Sequence, residues 1–434
     1  MRAVDLIQKK KEGLKHTKEE IYFLVNGYTN GQIEDYQMSA WLMAVCFKGL
    51  DDEETAWLTQ SFVESGDILD FSDISTNVAD KHSTGGVGDK VTLVLIPILA
   101  QLGVYTAKLS GRGLGFTGGT IDKLESIPNF RCELSNEEFF KQIKDIKVAI
   151  SSQSPNLTPA DGKIYALRDV TATVDNKSLI CASVVSKKIA SGAKSIVLDV
   201  KYGSGAFLKT PEAAHELGDL MIKTGKLLNR NIDVVVSSME QPLGLNIGNS
   251  LEVIESIEFL KGNYSEDLYE ITLELATKTL LNCSAAQNEI QAKEMVDKVI
   301  QDGSALNKFR EIIIAQGGNE NVINNYSLFD IGKNSIEIKA NQEGYISNLI
   351  ALEVAHSAKL LGAGRDKKSD SINFGAGISL RKKVGDFVKE NETVMELFYD
   401  EVSESKLNDA INIAKNSFEI SSQKIEKPQL IFKN

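Results

Sequence analysis

The sequence has few of the residues that build disulfide frameworks and zinc sites. Its 434 residues include only 4 cysteines and 4 histidines, all far apart, and no CxxC pair. Disulfide frameworks and structural zinc sites place such residues at short, regular spacings. We therefore predict no disulfide framework and no zinc site, and expect four buried thiols: Cys46, Cys132, Cys181 and Cys283.

The sequence also lacks the positive charge and the long apolar segments that bind nucleic acids and membranes. The formal net charge is −12, whereas phosphate backbones are bound through many lysines and arginines. The longest apolar run, Val91 to Val104, is too short to span a bilayer and contains Pro97. The first residues, MRAVDLIQKKKEG, lack the apolar core of a signal peptide. We expect a soluble cytoplasmic protein without nucleic-acid or membrane partners. The negative net charge does not exclude a small basic pocket that binds a phosphorylated ligand.

The patterns that are present predict an α/β protein with helices at its start. The hydrophobic fraction of 42% is that of a globular protein. Residues 1–65 read as helices, with a capping box at Thr17 and Glu20. From about residue 78, short β-branched runs alternate with helical patterns, which is the signature of a mostly parallel sheet. The predicted strands are TNVADK, VYTAKLS, KVAISS, KSIVLDVK and IDVVVSS.

Two changes in this pattern define the predicted domains. Two helical patterns in residues 158–191 interrupt the strands, and we predict that they pack on the N-terminal helices. After residue 330, period-two alternation and Gly-Asp turns predict a β-rich module like a barrel sandwich. It lacks the lysine that a swinging-arm carrier needs, which favours a scaffold. The predicted domains are a helical domain (1–65 plus 158–191), an α/β domain (70–157 plus 192–330) and a β-rich module packed with it (331–434).

Two glycine-rich loops point to a phosphate site. KHSTGGVGDK (residues 81–90) and KLSGRGLGFTGGTIDKLE (residues 108–125) each follow a predicted strand and precede a predicted helix. Helix starts offer free amides to an anion, and glycine allows close backbone approach. Lys81 and Lys108 close neighbouring strands, so both would flank one edge of the sheet. The loops and the helix starts also supply hydroxyl groups, from Ser83, Thr84, Thr92, Ser110 and Thr120.

Two common nucleotide-binding patterns do not explain these loops. Residues 113–118 match GxGxxG, but the acidic residue of the dinucleotide version would fall in SNEEFF, a helix start rather than a strand end. The Walker pattern is absent, because Gly88-Asp-Lys90 is followed by Val91. A phosphate held between the two loops remains the best interpretation, with simple turns as the alternative.

Four blocks of sequence resemble the thymidine and pyrimidine-nucleoside phosphorylase family, in the family's order. They are KHSTGGVGDK, SGRGLGFTGGTIDKLE (residues 110–125), SKKIASGAKSIVLDVKYGSGAF (residues 186–207) and MEQPLGLNIGNSLEV (residues 239–253). The similarity covers essentially the whole chain. It implies a helical domain, an α/β domain and a β-rich C-terminal module, with a homodimer formed through the helical domain.

The resemblance also implies the reaction and its residues. Inorganic phosphate would attack C1′ of a pyrimidine nucleoside and release the base and an α-pentose 1-phosphate, as in nucleoside salvage, without an organic cofactor. The implied phosphate ligands are Lys81, Ser83, Thr92, Lys108, Ser110 and Thr120. The implied base ligands are Tyr165, Arg168, Ser183 and Lys187. His82, Arg168 and Lys187 would be catalytic, because cations at the base end stabilise the negative charge of the leaving group.

The resemblance further implies a potassium ion. Its ligands would be the backbone carbonyls of Gly88, Lys90, Leu243 and Asn246 and the carboxylate of Glu255. Asn246 stands where the family more often has a small residue, which does not matter if only its backbone is used.

Three alternatives stay open. A thymidine-specific enzyme would carry a run like Met-Ile-Ser-Gly where this chain has KLSG, so Lys108 favours the branch that also accepts uridine. An anthranilate-type phosphoribosyltransferase resembles the fold and the phosphate loops, but would need magnesium and a pyrophosphate site. A non-catalytic carrier built on the C-terminal module is the third. Because the phosphate and base residues fall in different predicted domains, we also expect catalysis to require domain closure.

Overall fold

The computed structural model describes residues 1–75, 77–113, 118–365, 367 and 370–432. Its α-helices are α1 (Ala3–Lys11), α2 (Lys18–Thr29), α3 (Asp35–Lys48), α4 (Asp52–Val63), α5 (Val91–Gln101), α6 (Thr120–Glu125), α7 (Asn136–Ile146), α8 (Pro159–Asp169), α9 (Lys177–Ala190), α10 (Pro211–Leu227), α11 (Asn249–Leu260), α12 (Glu266–Asn282), α13 (Glu289–Gln301), α14 (Ser304–Ala315), α15 (Ala351–Ala358) and α16 (Glu404–Asn416). Its strands are β1 (Val78–Ser83), β2 (Tyr105–Ser110), β3 (Val148–Ser152), β4 (Ser195–Tyr202), β5 (Asn231–Ser238), β6 (Asn246–Gly248), β7 (Asn334–Lys339), β8 (Gly344–Leu349), β9 (Gly377–Leu380), β10 (Phe387–Val388), β11 (Thr393–Tyr399), β12 (Phe418–Ser421) and β13 (Ile431–Phe432).

The main sheet has the strand order β13-β5-β4-β1-β2-β3. Strands β2 and β3 are parallel, from Thr106 opposite Val148 to Ser110 opposite Ser152. The edge strand β13 is antiparallel to β5, with Ile431 opposite Ser237. Every residue of β4 is buried, as expected for a central strand covered on both faces. The predicted α/β class with a mostly parallel sheet is confirmed.

The chain forms two compact units, and the first is mainly helical. It contains Met1–Asp80, Gln153–Leu198 and His215–Val234. Its core surrounds the fully buried Trp41 and includes side chains of α8 and α9, among them Ile164 and Leu179. The capping box predicted for α2 is present, with Thr17 accepting from the Glu20 N–H. Helices α8 and α9 therefore pack on the N-terminal helices within one body.

The second unit carries the carboxyl ends of the main-sheet strands. It contains Lys81–Ser152, Asp199–Ala214 and Val235–Asn434. Strands β1, β4 and β5 begin in the first unit and end in the second, where β2 and β3 lie. Because ligands bind outside the carboxyl ends of strands in such sheets, these ends are the natural place for a site.

The C-terminal region is rich in strands, as predicted. It forms one sheet in the order β6-β9-β11-β7 and another in the order β10-β8-β12. Both sheets belong to the second compact unit. The predicted division into three domains, with its exact boundaries, stays a prediction.

The cysteines agree only in part with the expectation of four buried thiols. None of the four is in a disulfide among the described residues; Cys132 and Cys181 are buried, whereas Cys46 and Cys283 are only partly so. Burial raises the pKa of the Cys132 and Cys181 thiols to about 12, which keeps them protonated and unreactive.

The helices were also expected to be too short or too polar to cross a membrane. Within the described ranges, no helix combines the length and apolar character that crossing a bilayer requires.

Candidate active site

Lys81 is a buried cation that the described structure leaves without a hydrogen bond. It lies in β1 and is 2% exposed. Its Nζ lies 3.8 Å from Asp89 Oδ1 and 3.9 Å from Asp199 Oδ2, and it has no hydrogen-bond partner among the described residues. Buried ammonium groups normally use their donors. Lys81 therefore has donors available for an anionic ligand.

Several charged side chains surround Lys81. The Asp89 side chain is 9% exposed; burial alone would raise its pKa, but the Lys81 and Lys201 ammonium groups outweigh this and hold the pKa far below its usual range. Lys201 pairs with Asp199 at 2.8 Å. The ammonium of Lys108 donates to the carbonyl of Lys81. Three ammonium groups therefore lie close to one another, and the unused donors of Lys81 suit a phosphate ligand.

The hydroxyl groups predicted for phosphate lie in the same unit. Ser83 ends β1, Ser110 ends β2, Thr120 begins α6, and Thr92 lies in the first turn of α5. Ser83, Ser110 and Thr120 are half-buried, and Thr92 is 8% exposed. Thr84 is used differently: its hydroxyl accepts from the Lys201 N–H at 2.9 Å and joins the loop to β4. Its interaction is therefore structural in this conformation.

The second loop is braced by two residues that sequence reasoning missed. Asp122 is fully buried, and its Oδ2 accepts from the Gly113 N–H at 2.6 Å. Its Oδ1 lies 2.9 Å from a guanidinium nitrogen of Arg365, which comes from the C-terminal region. Residues 114–117 of this loop, part of the GxGxxG match, lie outside the described residues. The brace fixes the loop just before and after that segment.

The residues predicted to hold potassium are gathered at one place in the second unit. Lys90 Nζ lies 2.8 Å from the Leu243 carbonyl and 3.0 Å from Glu255 Oε2. A Cβ added to Gly88 would lie 2.5 Å from the Leu243 carbonyl and 3.4 Å from that of Asn246. The ammonium of Lys90 thus occupies two of the predicted potassium ligands, the Leu243 carbonyl and the Glu255 carboxylate, and with this side chain in place the site does not fit an additional potassium ion.

The residues predicted to hold the base cluster in the first unit. Tyr165 lies on α8, and Ser183 and Lys187 lie on α9. Lys187 Nζ donates to Ser183 Oγ at 3.0 Å and lies 5.7 Å from the centre of the Tyr165 ring. Tyr165 is 41% exposed, so a face of its ring is open to a ligand. An aromatic surface beside a cation suits a flat base that gains negative charge.

Arg168 belongs to this cluster but also has a structural role. Its guanidinium lies 5.4 Å from the Tyr165 ring and is 1% exposed. Three of its N–H groups donate to backbone carbonyls, those of Thr173, Val174 and Leu179. Arg168 therefore fixes the α8–α9 connection, and its role toward the base stays a prediction.

Asp161 is the functional candidate that sequence reasoning missed in this cluster. It is fully buried, its Oδ2 lies 2.6 Å from Lys187 Nζ, and it accepts from Ser183 Oγ at 3.1 Å. It therefore sets the positions of both side chains. Asp161, Tyr165 and Arg168 are spaced four and three residues apart, so helical periodicity alone places all three on one face of α8.

His82, predicted to be catalytic, lies in β1 and is half-buried. Its catalytic role stays a prediction.

Lys187 and Lys188 are adjacent in the sequence, but their side chains have different environments. Lys188 is 1% exposed and pairs with Asp80 at 2.9 Å, whereas the side chain of Lys187 is 27% exposed. Only Lys187 is placed to meet a ligand.

Comparison with family models first defines the class of protein. Residues 75–306 match the α/β domain of the glycosyl transferase family, and residues 4–66 match its helical bundle domain. Residues 345–421 match the pyrimidine nucleoside phosphorylase C-terminal domain. The three matches agree with the helical, α/β and strand-rich parts of the structure.

Full-length relatives then give the family. The chain is 47% identical to pyrimidine-nucleoside phosphorylase of Staphylococcus epidermidis, over 100% of this chain and 99% of the relative. It is also 47% identical to that of Geobacillus stearothermophilus over the same shares, and 48% identical to that of Bacillus subtilis over 95% and 96%. The chain therefore belongs to the pyrimidine-nucleoside phosphorylase family.

A solved structure supports the fold alone. Anthranilate phosphoribosyltransferase from Thermus thermophilus is similar with a TM-score of 0.57 and 15% identity, over 73% of this chain and 99% of that one. The strand-rich C-terminal domain and the identity to the phosphorylases favour the phosphorylase over this alternative.

Proposed function

We propose that this chain catalyses the reversible phosphorolysis of pyrimidine nucleosides in nucleoside salvage. A phosphate oxygen attacks C1′, the C1′–N1 bond breaks, and its electron pair leaves with the base. The products are the free base and α-D-ribose 1-phosphate or its 2-deoxy form. The observation that carries this proposal is the 47% identity over the whole chain to curated pyrimidine-nucleoside phosphorylases.

The residues divide the work between the two ends of the substrate. Lys81, a buried ammonium with unused donors, binds phosphate, together with Lys108 and the hydroxyls of Ser83, Thr92, Ser110 and Thr120. At the other end, Lys187 and Arg168 stabilise negative charge on the base carbonyls, Tyr165 and Ser183 hold the ring, and His82 donates to O2. Positioning and electrostatics then supply most of the acceleration. No organic cofactor is needed, because phosphate is already an anionic nucleophile.

The direct test is product analysis. The protein is incubated with uridine and phosphate, and uracil and ribose 1-phosphate are measured by chromatography. Uracil formation without phosphate would indicate hydrolysis instead. Turnover of anthranilate with phosphoribosyl pyrophosphate and magnesium, but none of uridine, would favour the transferase. Small-angle scattering with phosphate and an unreactive nucleoside analogue tests the expected domain closure.

We expect uridine, deoxyuridine and thymidine all to be substrates. Lys108 is 2% exposed and its ammonium donates to the Lys81 carbonyl, so it supports the phosphate site from within the strand. A cation there tolerates a nearby 2′-hydroxyl, whereas an apolar side chain would leave that hydroxyl without a partner. The measurement compares kcat/KM for the three nucleosides, with values expected to agree within about tenfold. A preference above about 100-fold for thymidine over uridine would contradict this.

We also propose a homodimer in the cytoplasm. Helix α3 exposes Tyr36, Met43 and Phe47, which are 73%, 36% and 78% exposed. Their spacing of seven and four residues places them on one helix face, and such apolar stripes favour an interface. Sedimentation equilibrium should give twice the mass of one chain. Phe47→Asp should shift this toward the monomer, whereas Ile314→Asp, at an exposed apolar residue of α14, tests the same kind of change away from this face.

A further inference from the structure

The Lys90 ammonium is buried and contacts two oxygens of the predicted potassium site. The side chain is 0% exposed, and its Nζ contacts the Leu243 carbonyl and the Glu255 carboxylate at 2.8 Å and 3.0 Å. Both distances are those of normal N–H···O hydrogen bonds. The site is tight, because a Cβ added to Gly244 would lie 2.6 Å from this nitrogen.

Three of the four backbone carbonyls predicted to bind potassium already have hydrogen-bond partners. The Gly88 carbonyl accepts from the Lys90 N–H at 2.9 Å, and the Lys90 carbonyl accepts from the Leu93 N–H at 2.9 Å. The Leu243 carbonyl accepts from the Lys90 ammonium. A metal ion would have to share all three carbonyls with existing donors.

The charges of the site are balanced without a metal ion. Glu255 accepts from the Leu245 and Asn246 N–H groups, both at 2.8 Å, and pairs with Lys90. One carboxylate and one ammonium sum to zero. An added monovalent ion would place a second positive charge beside the first in a buried environment, where like charges repel strongly.

The position of Lys90 in its helix is unfavourable by local criteria. It is the N-cap residue of α5 and makes no side-chain cap hydrogen bond. Serine, threonine, aspartate and asparagine are preferred at this position, and a cation near a helix N-terminus opposes the helix dipole. A lysine here gives up local stability. Its contacts with Leu243 and Glu255 compensate for that loss.

We propose that Lys90 supplies, as a covalently attached ammonium, the cation that the family resemblance assigns to bound potassium. The phosphate loop of this chain is then held without a metal ion. The ammonium connects the end of the first glycine-rich loop to the segment before β6 and to α11. The proposal rests on these contacts and not on the proposed function.

A second lysine, Lys383, binds carbonyls of the same segment as Lys90. Lys383 Nζ donates to the Pro242 and Gly244 carbonyls at 2.8 Å and 3.1 Å, and it pairs with Asp267. Burial alone would raise the pKa of Asp267, but Lys383 outweighs it and lowers this pKa. Successive carbonyls of residues 242–244 are thus bound alternately by Lys383 and Lys90. Both cations shown to bind these carbonyls are protein side chains.

The first test uses the unmodified protein. Its thermal midpoint is measured in potassium chloride and in tetramethylammonium chloride at equal ionic strength, and bound potassium is measured by mass spectrometry after dialysis. We expect the thermal midpoints in the two salts to agree within about 1 °C. Without a bound potassium ion, the potassium concentration does not change the stability of the folded state. Bound potassium near one per chain, or a midpoint that rises with potassium and saturates, would overturn the proposal.

The second test replaces Lys90, which should make the stability of the protein depend on potassium. Lys90→Thr removes the ammonium, adds a hydroxyl oxygen and leaves Glu255 unpaired. We expect the midpoint in tetramethylammonium to fall by about 4–10 °C and to rise with potassium concentration. Phosphorolysis should follow the same salt dependence. Lys90→Met fills the same space without charge, so its midpoint should fall without recovery in potassium.

Lys10→Thr is the matched control. Lys10 also forms a buried pair with a glutamate, Glu54, at 2.7 Å, but it lies in the helical first unit. The thermal midpoint of Lys10→Thr should fall and show no dependence on potassium. Equal recovery of Lys90→Thr and Lys10→Thr by potassium would show a general salt effect and contradict the proposal. If Lys90→Thr does not fold in either salt, the measurements on the unmodified protein still decide.

Discussion

Lys187→Ala is expected to lower kcat for phosphorolysis by about 100- to 1,000-fold. Loss of one well-placed donor to developing negative charge costs this much in other enzymes. Lys187 is the partly exposed cation of the base cluster, 5.7 Å from the Tyr165 ring centre. Steady-state kinetics with uridine should show the loss in kcat, while KM for phosphate changes by less than about threefold.

A companion variant separates catalysis from stability. Lys187→Ala leaves the buried Asp161 carboxylate without its cation, so the thermal midpoint should also fall. In the double variant Lys187→Ala with Asp161→Asn, the unpaired charge is gone, and the midpoint should recover. Activity should stay low. Recovery of both would mean that Lys187 acts only through folding, and that it is not a catalytic residue.

Lys81→Met is the second variant with a large expected effect. A hydrogen bond to a charged group contributes about 1.5–3 kcal/mol, which corresponds to a loss of about 10- to 150-fold in kcat/KM for phosphate. The reason is that the Lys81 ammonium, 2% exposed, has no hydrogen-bond partner among the described residues. The measurement is phosphate saturation at fixed uridine. Ser110→Ala, at the end of β2, should show about a tenfold loss.

A surface lysine provides the control for these measurements. Lys141 has an exposed side chain on α7 and, among the described residues, pairs with Asp145 four residues away, so Lys141→Ala should leave the kinetics unchanged. Circular dichroism must show that Lys81→Met is folded. An unchanged phosphate KM in a folded Lys81→Met would refute the assignment of this residue to phosphate.

The features that could be predicted from the sequence are those set by neighbouring residues. The strands that carry Lys81 and Lys108, and the capping box of α2, follow from local patterns, and the structure has them, although the strands continue two residues further, to Ser83 and Ser110. The roles of Asp161 and Arg365 could not be predicted in this way. Asp161 acts on side chains of another helix, and Arg365 reaches the carbonyl of a residue 252 positions earlier in the chain.

Lys90 shows the same limit within a predicted site. The resemblance placed its backbone carbonyl among the potassium ligands, which required only the right position in the loop. The ammonium of its side chain donates to the carbonyl of Leu243, and no local pattern in the loop predicts that contact. The family resemblance therefore predicts a cation site here, whereas the proposal that Lys90 itself supplies the cation needed the contacts of its side chain.

The contact between Lys90 and Leu243 also has a consequence for synthesis of the protein. The two residues are 153 positions apart in the chain. At about 5–20 residues per second, roughly 8–30 s pass on the ribosome between the appearance of the lysine and that of its carbonyl partner. During this time the nascent first loop lacks the contact that holds it. The loop can therefore take its final conformation only after more than half of the chain has been translated.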